Sequence, residues 1–195
     1  MAKVNHNYNN DFCPQTLFLY GTKKEDGTPD FGLFCWFSYV WDSELGVMAC
    51  IGGSKLTRDN IHKRKVFSAN LVTEKLLPLA DFLGNTAGGS PEKMSIEIRT
   101  EQGRVLPVPV LTDAPVSFEL EVKQFIPLDG GEVMLCRIRN VLQDDFLAQG
   151  PSTAAEKLAA IAPVHTTCHH YFGWDGRDLG AWGEPMGKLF TKQET

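Results

Sequence analysis

Residues 116–123 alternate without a break, with Val116, Phe118, Leu120 and Val122 on one side and Ser117, Glu119, Glu121 and Lys123 on the other. Only a pleated strand sends successive side chains to opposite faces, so residues 116–125 read as a half-buried antiparallel strand. Asp129-Gly130-Gly131 then turns the chain into a partner strand over 132 to about 141. The first third of the chain supplies more strands. Residues 15–20 are β-rich, KKEDGTP (23–29) is a turn cluster, and 31–41 is a long aromatic and β-branched stretch that completes a hairpin. Residues 46–51 and 66–72 read as further strands.

Helices fall between them. Thr57 is a candidate N-cap for a short helix to about Arg64. Residues 74–83 have amphipathic spacing with Pro78 in the first turn, and Thr153 with Glu156 forms a capping box for a helix to Ile161. GNTAGGSP (84–91) reads as a loop, and the aromatic, glycine-rich tail after 164 has no clear period. Many short strands separated by turns, with a few short helices, predict a small β-barrel with helical excursions. A chain of 195 residues, 43% hydrophobic, can bury one full core. No secretory signal or membrane-spanning apolar run is read, and five scattered cysteines without a CxxC pair fit reduced thiols, so a soluble, cytoplasmic protein is expected.

Charge picks out one segment. Between residues 55 and 65, Lys55, Arg58, Lys63, Arg64 and Lys65 face a single acid, Asp59, giving +4 in a chain of net charge -5 and leaving -9 elsewhere. The acidic balance argues against nucleic acid as a partner. A local inversion where Gly52-Gly53 feeds a helix N-terminus suits a phosphate, because free amides, hydroxyls and the helix dipole all favour an anion there. Neither a G-x-G-x-x-G after a strand nor a G-x-x-x-x-G-K-[ST] is present, which argues against a Rossmann unit or a P-loop.

The order of these pieces resembles the flavin reductase-like family with the FMN-binding split-barrel fold, including its flavoredoxin-type members. The resemblance is carried by Gly27, Pro29, Asp30, Trp36, Ser38, Ser54, Lys55, Thr57, Asn60, Phe67 and Asn70, over about 12–148, and the region of Tyr171, Gly180 and Gly187 is similar in style. It implies a mainly β, antiparallel Greek-key split barrel with short flanking helices. That would be one domain over 1–195 with an irregular C-terminal extension from about 150. It also implies a homodimer holding FMN at the subunit boundary, with the ring edge against Trp36, Phe37 and Ser38 and the phosphate on Ser54, Lys55 and Thr57. Asp30, Asn60 and Asn70 are further cofactor-binding positions on the same grounds. The implied activity is that of an FMN-dependent oxidoreductase, in electron transfer or NAD(P)H-linked flavin reduction. No side chain is needed as acid or base, and the donor is NADH, NADPH or a redox partner protein.

Two positions depart from the family pattern. Where many NAD(P)H-using members carry Gly-Asp-His, this chain reads Gly131-Glu132-Val133, which favours an electron carrier or a different donor. Asp30 stands where asparagine is commoner, so an amide donor becomes an acceptor-only carboxylate. The alternative reading is a non-catalytic binding module whose basic helix docks a partner. His165, Cys168, His169 and His170 crowd into one stretch with no second cluster, and no metal site is expected from them.

Overall fold

The computed structural model describes residues 1–190 apart from Tyr8, Phe12 and Pro151, so Phe12, where the family resemblance begins, lies outside the described residues. In chain order the elements are β1 (Gln15–Thr16), β2 (Phe18–Lys23), β3 (Pro29–Phe34), β4 (Phe37–Asp42), β5 (Glu44–Gly52), α1 (Leu56–Arg64), β6 (Val66–Leu71), α2 (Leu77–Asn85) and α3 (Pro91–Ser95). They continue with β7 (Thr100–Gln102), β8 (Pro109–Leu111), β9 (Val116–Leu128), β10 (Gly131–Gln143), α4 (Asp145–Gln149), α5 (Ala154–Ile161), β11 (His165–Thr167), β12 (His170–Phe172), β13 (Asp178–Ala181) and α6 (Gly187–Phe190).

Seven strands form one antiparallel sheet in the order β3-β2-β6-β9-β10-β5-β4. Its two edge strands, β3 and β4, are consecutive in the chain and joined only by Cys35 and Trp36. A two-residue link can connect opposite edges only if the sheet curls until they are neighbours, and this curl makes the barrel. The stretch 31–41 is therefore two strands that leave in different directions, not the single strand its composition suggests. The link is held by the Cys50 amide, which donates to the Trp36 carbonyl at 2.9 Å.

The barrel interior is filled by Tyr20, Val47, Ile51, Phe67, Leu120 and Met134. A second core on the outer face joins Leu19 and Phe31 to Val72, Leu77 and Leu83 of the α2 region and to Val164 and Tyr171. Strand β2 serves both, with Phe18 and Tyr20 inward and Leu19 outward, which explains its unbroken apolar run.

The β9–β10 hairpin appears as the alternation predicts, with irregular register at Leu135/Cys136 and Ile138/Asn140. The polar face of β9 is not solvated at its start. Ser117 is buried against Asn70, and Glu119 is buried beneath a loop whose Arg104, Val105 and Leu106 amides donate to it. The helix expected over 74–83 begins at Leu77, with Pro78 in its first turn, and runs through Gly84 and Asn85 of the expected loop. Helix α5 forms as its capping box predicts, and the tail after 164, which has no clear sequence period, adds β11, β12 and β13 to β1 in a small sheet of order β1-β11-β12-β13 and ends in α6. No described helix is long and apolar enough to cross a membrane.

Candidate functional site

Helix α1 starts after the Gly52-Gly53 corner, where Gly53 takes a positive φ of 67° and donates its amide to the Gly130 carbonyl at 2.8 Å. The N-cap is Lys55, with extended angles and no side-chain cap bond, so Thr57 is not the cap the sequence suggests. Thr57 is the second residue of the helix, nearly buried, and its Oγ1 donates to Asp30 Oδ2 at 3.1 Å. Close approach of β3 to α1 makes this contact: a Cβ on Gly32 would stand 2.8 Å from Thr57 Oγ1. On the other side, Gly88 lets the 86–90 loop lie against Leu56, where a Cβ would meet Leu56 Cβ at 2.9 Å.

These elements enclose a cleft of ≈ 280 Å³ lined by Gly32, Phe34, Ser54, Lys55, Thr57 and Lys93. Lys93 comes from α3, whose Ser90 accepts the Lys93 amide as N-cap at 3.2 Å. Its side chain is only 8% exposed, with Nζ 3.7 Å from Asp30 Oδ1 and donating to the Leu83 carbonyl at 3.2 Å. Burial holds its pKa below the usual lysine value, with Lys55 and Lys24 pressing the same way and Asp30 opposing them. A second, apolar pocket of ≈ 220 Å³ shares Leu33, Phe34, Gly84 and Asn85 with the cleft and reaches Cys35, Tyr171 and Trp182. Burial raises the Cys35 thiol, so this end presents a neutral wall. The two spaces together have the form of a small-molecule site with a cationic end and an apolar end.

The structure thus brings Ser54, Lys55 and Thr57 to one cleft with Asp30 directly behind Thr57. It does not bring Asn60 or Asn70 there. Asn60 points inward and donates to Thr22 Oγ1 at 3.0 Å. Asn70 is fully buried, donating to the Leu19 carbonyl and Ser68 Oγ while accepting from the Leu111 amide and Ser117 Oγ. Phe37 turns into the barrel, its ring 4.3 Å from that of Phe18. Trp36 and Ser38 are exposed at the β3–β4 corner beyond the apolar pocket, and the Ser38 hydroxyl donates to the Tyr39 carbonyl at 3.3 Å.

The cations of α1 divide. Lys55 stays with the cleft, but Arg58, counted by sequence toward an anion, turns to Glu132 at 3.2 Å and to the Gly53 carbonyl at 3.3 Å. Lys63 pairs with Glu25, Arg64 donates to the Lys23 and Lys24 carbonyls, and Lys65 lies 4.4 Å over the Phe125 ring. Glu132 is almost fully buried and also takes His62 Nε2 at 2.7 Å, with the His62 ring stacked on Phe125 at 4.1 Å. Val133 occupies the position of the missing histidine, while a histidine from α1 meets the neighbouring carboxylate through space.

Sequence reasoning missed Lys93 and Glu132. Lys93 follows a Ser-Pro helix start after a glycine-rich loop, but nothing local marks it as buried; only the packing of that loop on α1 does so. The histidine-rich stretch forms the β11–β12 hairpin, in which Cys168 and His169 both take left-handed φ values of 51° and 60°. His169 packs on Trp182 and His170 pairs with Asp178, and no three metal-ligating side chains converge among the described residues.

No curated protein matches the chain. Solved structures share its fold. Flavoredoxin from Methanosarcina acetivorans is similar with a TM-score of 0.78 at 18% identity, covering 97% of this chain and 100% of that one. Flavoredoxin of Desulfovibrio vulgaris (Miyazaki F) has a TM-score of 0.76 at 18% identity, covering 88% and 93%. An FMN-binding protein from Thermus thermophilus has a TM-score of 0.71 at 17% identity, covering 89% and 93%. The sequence profile of the flavin reductase like domain matches residues 11–154, which takes in every barrel strand, helix α1 and Lys93. With that match over most of its length, the chain belongs to the flavin reductase-like family.

Proposed function

We propose that the chain is an FMN-binding oxidoreductase that transfers electrons through a bound flavin. The observation that carries this reading is the cleft at the start of α1, cationic at Lys55 and Lys93 and continuous with an apolar pocket at Cys35 and Tyr171. The donor set fits a phosphate: a half-buried helix start contributes amides with no intrahelical acceptor, Ser54 a hydroxyl, and the two lysines charge. The apolar pocket fits the flat, poorly hydrated end of a flavin. When bound, the flavin supplies the redox chemistry. The protein's own residues hold its phosphate, exclude water from its ring through Leu33, Phe34 and Tyr171, and hold the Cys35 thiol in its neutral form. The reducing partner is a nicotinamide nucleotide or a redox protein, and the absence of histidine at Val133 favours the latter.

The active form in this reading is a homodimer. Tyr39, Trp41 and Leu45 stand exposed on one face of β4 and β5, with β4 an unpaired sheet edge beside the Trp36 corner. An apolar face on an open edge suits a second copy of the chain. The basic-helix docking module receives little support, because Lys63 and Arg64 are already engaged within the chain.

Protein incubated with FMN and freed of excess should absorb near ~450 nm at a flavin band that shifts on binding, and release FMN on denaturation. Lys55→Ala should weaken FMN about tenfold or more, the cost of one charge-assisted bond, while riboflavin binding changes little. Colourless protein that takes up no added FMN would sink the reading. Stopped-flow reduction with NADH or NADPH then separates a nicotinamide-linked reductase from a protein-linked carrier.

A further inference from the structure

We propose that Asp30 is a built-in counter-anion of the cleft which weakens its hold on a flavin phosphate, so that FMN exchanges with solution instead of remaining a fixed prosthetic group. This rests on the flavin reading above and deepens it at the same site.

A hydroxyl carries one proton. Thr57 Oγ1 gives its proton to Asp30 Oδ2 at 3.1 Å, and what it then offers the cleft is lone pairs. Phosphate oxygens are acceptors as well, so in this arrangement the Thr57 hydroxyl contributes no bond to them. The second donor is drawn off in the same way. Lys93 Nζ sits 3.7 Å from Asp30 Oδ1 and sends a further proton to the Leu83 carbonyl at 3.2 Å. The Asp30 side chain is 3% exposed and the Lys93 side chain 8%, so water screens this pair poorly and the negative charge stays close behind the cleft wall. Of the six polar side chains that line the cleft, Thr57 and Lys93 face this internal acceptor and Asn85 is held by Asp81, while the two at the start of α1 that are clear of both, Ser54 and Lys55, are exposed. An arriving phosphate must therefore do without the Thr57 hydroxyl and share the charge of Lys93 with a carboxylate that stays close behind the cleft wall. An amide at position 30 would remove the charge, leave Lys93 unneutralised for the ligand, and free the Thr57 rotor.

The test is titration of FMN and riboflavin into the full-length protein, followed by flavin fluorescence, for wild type, Asp30→Asn and Asp30→Ser. Both variants should tighten FMN about tenfold or more and move riboflavin less than about threefold, so the ratio of the two dissociation constants shifts selectively. Inorganic phosphate should compete with FMN at lower concentration in the variants than in wild type. Adding Thr57→Val to Asp30→Asn should give back part of the gain, because the released hydroxyl is then missing. Asp30→Ser guards against misfolding of the isosteric variant, with thermal melting as the check on each. An unchanged or reduced preference for FMN in the folded variants overturns this proposal alone. Wild-type protein that takes up neither flavin overturns the flavin reading and this proposal with it.

Discussion

Tyr20 is fully buried in the barrel, between the rings of Phe34 at 4.6 Å and Phe67 at 5.1 Å, and its Oη is the one buried side-chain polar atom without a partner among the described residues. Burial, with Cys136, Cys35 and Cys50 nearby, pushes its pKa well above the usual tyrosine value. An unpaired buried hydroxyl carries a desolvation penalty with nothing to offset it, so Tyr20→Phe should stabilise the protein by about 1 kcal/mol, read as a higher denaturant midpoint at unchanged m-value. Destabilisation would show that the hydroxyl has a partner in solution. Asn70 is the opposite case. Three of its four bonds tie β6 to β2, to β9 and to the amide of Leu111 and the fourth holds Ser68 on the same strand, which accounts for an asparagine at the end of an apolar strand without any ligand. At Glu119, burial raises the carboxyl pKa but donors from Asn140 and the Leu106, Val105 and Arg104 amides outweigh it, leaving the group below its ordinary value. From sequence the partners of both residues are hidden, because apart from Ser68 what satisfies them comes from 13 to 51 residues away.

Elements whose signals are local were legible. Helix α5 has the capping box its sequence announces, with the Glu156 amide donating to Thr153 Oγ1 and Glu156 Oε2 accepting the Thr153 amide. Backbone and hydroxyl donors of Thr153 and Ser152 hold the Glu156 pKa at about 2, against 4.5 ordinarily. A depressed folded-state pKa stabilises above the unfolded value and loses that contribution as pH falls through the folded one. The protection factors of the α5 amides, taken relative to intrinsic exchange at each pH, should therefore hold above about pH 4.5 and fall as pH drops toward 2, whereas in Glu156→Gln the drop across that window should disappear. Equal pH dependence in the two proteins would contradict the cap. The break at Cys35-Trp36 and the cap of α1 were not legible. No proline or glycine marks the break, since the curl of the whole sheet imposes it. Thr57 has the chemistry of a cap, but Asp30, brought in by β3, claims its hydroxyl.

At the scale of the whole molecule, the tail after residue 164 is tied to α2 by a buried carboxylate as well as by its apolar packing. Asp81 on α2 accepts the Tyr171 hydroxyl at 2.7 Å, the Gly183 amide at 2.9 Å, the Met186 amide at 3.0 Å and Asn85 Nδ2 at 2.7 Å. The docked tail residues lie outside the 11–154 family match, while Asp81 lies within it, and the tail supplies Tyr171 and Trp182 to the apolar pocket. Asp81→Asn turns two acceptor directions into donors facing donors and should cost about 3 kcal/mol, or roughly 10 °C in melting temperature. The cost should appear first as proteolysis after residue 161, with the barrel still folded. Loss of the barrel and the tail in one step would show that the two are a single cooperative unit.

Alternation, turn residues and capping pairs act between neighbours in the chain, and they were enough to determine a mainly antiparallel β protein, its helices α1, α2 and α5, the β9–β10 hairpin and an anion-friendly start to α1. Which residues share the cleft was decided only when the sheet curled. Closure set β3 against α1 and folded the glycine loop over Leu56, which buried Lys93 and gave Asp30 the proton of Thr57. It also sent Arg58 to Glu132 and turned Asn60 and Asn70 inward. Those assignments follow from which donor lies nearest which acceptor, and that proximity is a property of the closed barrel, not of any segment of the chain.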